Sequence, residues 1–120
     1  MNKRDMIIYL VGFFDGEGNV DISERRHKYF RKRDSKWCES VSTALRLRIS
    51  NTDKEVLDFI KENFDGKIYN RKRYYSHHRQ AWVWHLSGKK ASKLSKLMYP
   101  FSIVKKEKLK EAREFYDNSI

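Results

Sequence analysis

Residues 9–20, YLVGFFDGEGNV, close an apolar run with an acidic, glycine-punctuated turn, in a chain whose formal charge is +11. If the run is a helix, Gly12 and Gly16 stand four apart on one face, a small-xxx-small spacing that lets two helix backbones approach closely. Tyr9, Gly12, Phe13 and Gly16 are then the expected face on which two copies pack. Glu17 follows at the C-terminal end, where the helix dipole is negative and a carboxylate is disfavoured by about 0.3–1 kcal/mol. Something positive should compensate. A divalent cation held by Glu17 and backbone carbonyls, Gly16 among them, would do so, and hard oxygen ligands suit Mg²⁺ or another divalent ion. The same residues also fit a solvent-exposed acidic turn that ends a core helix.

The surrounding composition narrows the partners. Lys and Arg number 27 against 16 Asp and Glu, an excess that points to a polyanion, either nucleic acid or an anionic membrane surface. With 39% hydrophobic and 14% aromatic residues, the chain is not a disordered basic tail. Residues 1–120 are enough for one compact domain and too few for two. Cys38 is the sole cysteine, so no disulfide framework or cysteine-based zinc site forms within one chain, and a reducing, intracellular setting fits best. The charged head and apolar run at the start resemble a short signal peptide, but DGEGNV offers no small-residue cleavage site, and residues 6–14 are too few to span a bilayer. A membrane role is not expected.

Periodicity supplies the elements that must hold the acidic turn. Residues 5–14 read as a helix closed by left-handed Gly16 or Gly18. Residues 19–25 alternate as a strand. After a basic loop at 27–40, VSTALRLRIS places Val41, Thr43, Leu45, Leu47 and Ile49 on one face and Ser42, Ala44, Arg46, Arg48 and Ser50 on the other. Thr52 and Glu55 have capping-box spacing before a helix with Val56, Leu57, Ile60 and Phe64 as its apolar stripe, ending at Gly66. Strands at 67–73 and 80–87 flank a polar loop at 74–78, with Trp82, Trp84 and Leu86 on one face. Helices at 89–98 and about 102–116 follow, the second after Pro100, the only proline.

The order α-β-β-α-β-β-α-α predicts an α+β fold, a four-stranded antiparallel sheet with helices over its Leu/Ile/Trp face. The other face stays open. By strand phase it carries Asn19, Asp21, Ser23, Arg25, Ser42, Arg46, Arg48, Lys67, Tyr69 and Arg71, side-chain types that reach base edges and phosphates. A solvated charged face is the bland alternative, and recurrence of arginine on one face argues for a DNA-reading saddle. Arg31, Lys32 and Arg33 in the basic loop suit phosphate contacts. His27, His77, His78 and His85 do not have the arrangement of a zinc cluster.

LVGFFDGEG, residues 10–18, resembles the signature of the LAGLIDADG homing endonucleases. It holds the first leucine, the first glycine, the sixth-position acid as Asp15, the eighth-position acid as Glu17 and the final glycine. Val11 replaces a small alanine, a change expected to loosen or tilt the helix pair, and Glu17 is one methylene longer than the commoner aspartate. The resemblance runs along nearly the full chain in element order and implies the LAGLIDADG fold, with a saddle-like sheet.

It also implies a site-specific, double-strand DNA endonuclease in which Glu17 holds a metal near a scissile phosphate. By register from the motif, Asn51 at the end of the second strand matches a family position that organises solvent. Lys105, or its neighbour Lys106, matches a basic residue past the proline. Asn51 as an ordinary helix-entry residue and Lys105 as a solvated lysine are the plain alternatives. One copy of the motif implies a homodimer on a long pseudo-palindromic target. Phosphodiester hydrolysis by metal-activated water needs no covalent nucleophile. The competing reading is a non-cleaving protein of the same fold, such as an intron-splicing maturase that binds RNA. In either case the protein would sit inside the cell, wherever the host intron or intein DNA resides: a prokaryotic cytoplasm or an organelle.

Overall fold

The computed structural model describes residues 2–71 and 79–116, apart from the side chain of Arg25. The predicted loop at 74–78, with His77 and His78, lies outside the described residues. The elements are α1 (Lys3–Glu17), β1 (Gly18–Arg31), β2 (Lys36–Asn51), α2 (Lys54–Phe64), β3 (Lys67–Arg71), β4 (Ala81–Ser87), α3 (Lys89–Met98), a 3₁₀ turn (Tyr99–Phe101) and α4 (Lys106–Arg113). Their order is the predicted one. The four strands are antiparallel in the order β1-β2-β4-β3.

Alternation divides the sheet into two faces with different work. Leu45, Leu47 and Ile49 of β2 and Trp84 and Leu86 of β4 are buried against Leu10, Val11 and Phe14 of α1, Leu57 and Ile60 of α2, Leu94 and Met98 of α3, and Leu109 of α4. Full burial of each such side chain contributes about 1.5–3 kcal/mol before chain entropy is counted. Trp84, fully buried, also satisfies its indole N–H by donating to the Asp65 carbonyl at 2.9 Å. Gly66 follows at φ +111°, and a Cβ there would fall 2.8 Å from the His85 carbonyl oxygen, so only glycine lets this turn pass β4. Among the described residues no helix is long and apolar enough to cross a membrane.

Four local expectations are corrected. α1 runs on through Gly16 and Glu17, and Gly18 ends it in an extended conformation at φ −93°, so neither glycine closes the helix by a left-handed turn. Gly18 is required by packing instead, because a Cβ there would lie 2.6 Å from Cε2 of Phe14. Gly18→Ala is therefore expected to destabilise the fold by about 1–3 kcal/mol through overpacking. A shifted urea midpoint with unchanged slope checks this, and an unshifted midpoint would mean that Phe14 moves aside freely.

The basic segment 27–40 is no loop. β1 and β2 stay paired out to Arg31 and Lys36, and residues 32–35 turn the hairpin, with Ser35 at φ 52°. The helix α2 is capped by Asp53, whose carboxylate accepts from Glu55 N at 3.0 Å, rather than by Thr52. Finally, α4 begins at Lys106, not 102, because residues 102–105 are held in a turn by the Asp15 carboxylate.

Candidate active site

Glu17 is the last residue of α1 and opens onto the uncovered sheet face. Its side chain is exposed and has no hydrogen-bond or ion-pair partner among the described residues. It lines a cleft of about 340 Å³ together with Asn19 of β1, Arg48 and Ser50 of β2, Tyr69 and Arg71 of β3, and Val83 of β4. Arg71 donates from Nη1 to Ser50 Oγ at 3.3 Å across the cleft floor. One ladder row, Asn19–Arg48–His85–Lys67, crosses all four strands, and Asp21 pairs with Arg46 in the next. A free carboxylate thus stands at the edge of a strongly cationic surface.

Asp15, two residues earlier, is used differently. Its carboxylate accepts from Ser102 Oγ at 2.6 Å, Ile103 N at 2.9 Å, Val104 N at 3.3 Å and Lys105 N at 3.4 Å. In return Lys105 donates from Nζ to the Asp15 carbonyl at 3.2 Å, supplying the positive charge that the α1 C-terminus otherwise lacks. Desolvation pushes the Asp15 carboxyl up, and the bonds from Ile103, Ser102, Val104 and Lys105 outweigh it, leaving the group below the ordinary carboxylate value. A depressed folded-state value stabilises the fold above the unfolded value, near pH 4, and that contribution is lost as pH falls through the folded one. Asp15→Ala should cost about 1–3 kcal/mol at pH 7, with a smaller deficit in acid, once pH has fallen through the folded-state value. Urea melts at pH 7 and in acid check it, and a pH-independent deficit would count against the bonded carboxylate.

A sequence profile described as LAGLIDADG endonuclease matches residues 10–97. The chain belongs to the LAGLIDADG family. The LAGLIDADG fold recurs in solved structures at low identity. The archaeal intron-encoded homing endonuclease I-Vdi141I, solved with DNA, aligns at TM-score 0.68 and 22% identity over 97% of this chain and 69% of that one. The homing endonuclease I-CvuI, solved with its target, aligns at 0.66 and 14% over 95% and 67%. I-LtrWI bound to target DNA aligns at 0.59 and 20% over 98% of this chain and 36% of its own. No curated protein sequence matches.

Within this LAGLIDADG domain, strand register puts Asn19, Asp21, Ser23, Ser42, Arg46, Arg48, Lys67, Tyr69 and Arg71 on one face. Arg25 pairs with Ser42 on that face, its side chain lying outside the described residues. Arg31, Lys32 and Arg33 are far off at the hairpin tip, where Arg31 is ion-paired with Asp34 and Lys32 and Arg33 are exposed in the turn. Asn51 pairs with Trp82, in phase with Ile49 rather than with the cleft-lining Ser50. Its Oδ1 accepts from Asp53 N at 2.7 Å, a helix-entry bond, while its Nδ2 has no partner among the described residues.

Tyr9, Gly12 and Gly16 are exposed on α1 and Phe13 is half-buried, with nothing within 4 Å of a Cβ on either glycine. Tyr9 packs edge-on against Phe59, ring centroids 5.8 Å apart. Val11 is buried in the core, so its bulk does not act on that outward face.

Sequence reading places Ser50 on the arginine face without a site role, weighs His85 only against zinc, and passes over Val83 and Ser102. Phase alone places Ser50, Val83 and His85, since each alternates with a buried neighbour in its strand. His85 carries a buried Nδ1 without a partner among the described residues. Burial, then the charges of Arg46, Lys67 and Arg48, hold its imidazole below the ordinary histidine value, hence neutral at neutral pH. Ser102 had no such signal.

The donor set suits a hard cation in part. No group of three His, Cys, Asp or Glu residues able to hold a metal occurs among the described residues. Glu17 offers one carboxylate at a helix end where the last backbone bond runs from Gly18 N to the Phe14 carbonyl, leaving the Gly16 carbonyl past the end of the helical ladder. Mg²⁺ typically takes one or two carboxylates, keeps water and shares phosphate oxygens, so these atoms fit it as a site completed by substrate.

Proposed function

We propose that the chain is a site-specific double-strand DNA homing endonuclease that acts as a homodimer and hydrolyses phosphodiester bonds at a long pseudo-palindromic target. The observation that carries this is the unpartnered Glu17 carboxylate at the cleft, on the same face as Arg48 and Arg71. An acid facing a phosphate-binding surface would only weaken a pure binder. The DNA-bound state of I-Vdi141I and I-CvuI supports the polyanion as duplex DNA, and I-CvuI has also been solved in the presence of Mg with the I-CreI target, that DNA not cleaved.

Pairing of two α1 faces through Tyr9, Gly12, Phe13 and Gly16 would bring both Glu17 carboxylates near a two-fold axis, one for each strand. Glu17 and the Gly16 carbonyl would hold Mg²⁺, which supplies an activated water and charge stabilisation when bound. Arg48, Arg71 and Lys67 hold the duplex in register. Lys105 neutralises charge near the reacting phosphate, and Asn51 offers Nδ2 to solvent at the strand end. Such an enzyme would act in the compartment that holds its host intron or intein DNA.

Selection from a library of randomised targets, with Mg²⁺ or with chelator, tests the proposal. Cleaved sites should be near-palindromic and absent under chelation; retention of DNA or RNA without cutting would favour the maturase alternative. In the same selection Arg48→Ala should relax preference at one base pair in each half-site, symmetrically about the centre, worth about 1–3 kcal/mol per contact. Neutralising Lys32 and Arg33 with Arg31 should instead weaken all sequences together and flatten the dependence of log affinity on log salt. An even loss of affinity in Arg48→Ala, with no paired change in preference, would make that arginine a phosphate contact.

A further inference from the structure

Four donors converge on the two oxygens of Asp15 from a segment almost ninety residues away in sequence: Oδ1 takes Ser102 Oγ and Lys105 N, and Oδ2 takes Ile103 N and Val104 N. Ser102 is itself buried, and its Oγ accepts from Lys105 N at 3.2 Å while donating to Asp15. The turn so formed delays the start of α4 and leaves Lys105 half-buried, with Nζ on the Asp15 carbonyl in the last turn of α1. Beyond the latch, the backbone bonds at its ends, Ser102 N to the Tyr99 carbonyl and Leu109 N to the Lys105 carbonyl, hold only the edges of the turn, and the Ile103 and Val104 side chains add no packing, at 86% and 69% exposure. A lysine has ample rotamer freedom and a strongly hydrated head, so without the latch it has no reason to stay at this one place.

We propose that Asp15 is a positioning residue: its carboxylate folds the 102–105 turn so that the Lys105 ammonium is delivered to the α1 C-terminus, two residues from Glu17. The catalytic consequence rests on the nuclease reading above. The latch requires an acceptor-only group. Asparagine keeps the shape of aspartate but aims its NH₂ at two donors, so Asp15→Asn breaks the turn almost as fully as truncation does. Motif acids at positions six and eight then divide their roles, Asp15 bringing a cation to the helix end and Glu17 facing the substrate.

Two readouts decide it, one of them independent of catalysis. In acylation of surface amines followed by mass spectrometry, Lys105 of the wild type should react at least about fivefold more slowly than exposed Lys93 and Lys110, and Asp15→Asn should bring it within about twofold of them. In single-turnover cleavage at saturating DNA, Asp15→Asn should lower the rate about 10–100-fold while gel-shift affinity stays within about threefold. In a Lys105→Ala background the same change should cost less than about threefold, because its partner is already gone.

Ser102→Ala, which leaves the carboxylate in place, should show a smaller loss that also vanishes in that background. Equal Lys105 reactivity in the wild type and Asp15→Asn, wild-type rates in Asp15→Asn, or losses that multiply independently of Lys105 would each overturn the inference. If the wild type cuts no DNA, the nuclease reading fails, and amine reactivity alone still decides whether Asp15 holds Lys105.

Discussion

Glu17→Gln is expected to lower DNA cleavage by at least about 10³-fold while leaving affinity for the target nearly unchanged. The substitution removes one negative charge and preserves volume. Since Glu17 is exposed and makes no hydrogen bond or ion pair among the described residues, the fold has nothing to lose by it. In the proposed function affinity belongs to the cationic face, in which Arg46, Arg48, Lys67 and Arg71 remain. Parallel nicking and gel-shift assays give the two numbers. Full cleavage by the variant would remove Glu17 from the chemistry, and a matching loss of affinity would make it a binding residue instead.

Gly12→Leu is expected to give monomers with at least about 100-fold less cleavage activity. A Cβ at Gly12 meets nothing within 4 Å in the single chain, so the substitution leaves the isolated subunit undisturbed. Leucine is also the better helix former, by up to about 1 kcal/mol. Loss of assembly with undiminished subunit stability is therefore the distinctive outcome, and a general folding defect would not produce it. Sedimentation velocity and thermal melting together read both quantities. An unchanged dimer would place the interface elsewhere.

Legibility in the sequence followed burial. Leu45, Leu47 and Ile49 alternate with Arg46 and Arg48 because one face of β2 meets the helices and the other meets solvent, and the reading face could be phased from that contrast. The hairpin arm beyond Arg26 carries no such contrast: Phe30 and Trp37 are exposed, at 48% and 73%, so no alternation marks it and it read as a loop. Glu17 was legible through its position at a helix end, where a carboxylate is unfavourable and needs a reason. Asp15 was not, because its partners are Ser102 to Lys105, and neither local spacing nor periodicity connects residues so far apart. The late start of α4 was missed for the same reason. At the entry of α2 the spacing of Thr52 to Glu55 read as a capping box, but the backbone enters the helix one residue later and Asp53 accepts from Glu55 N instead.

The most direct test of one Glu17 acting on each strand is a mixed dimer, with a wild-type subunit and a differently tagged Glu17→Gln subunit co-purified through both tags. Given a supercoiled plasmid with one selected target and Mg²⁺, the mixed dimer should accumulate open-circular DNA nicked in one strand, where the wild-type dimer yields linear DNA. Linear product from the mixed dimer at the wild-type rate, or no cleavage of either strand, would contradict a two-fold enzyme in which each subunit's carboxylate serves its own phosphate.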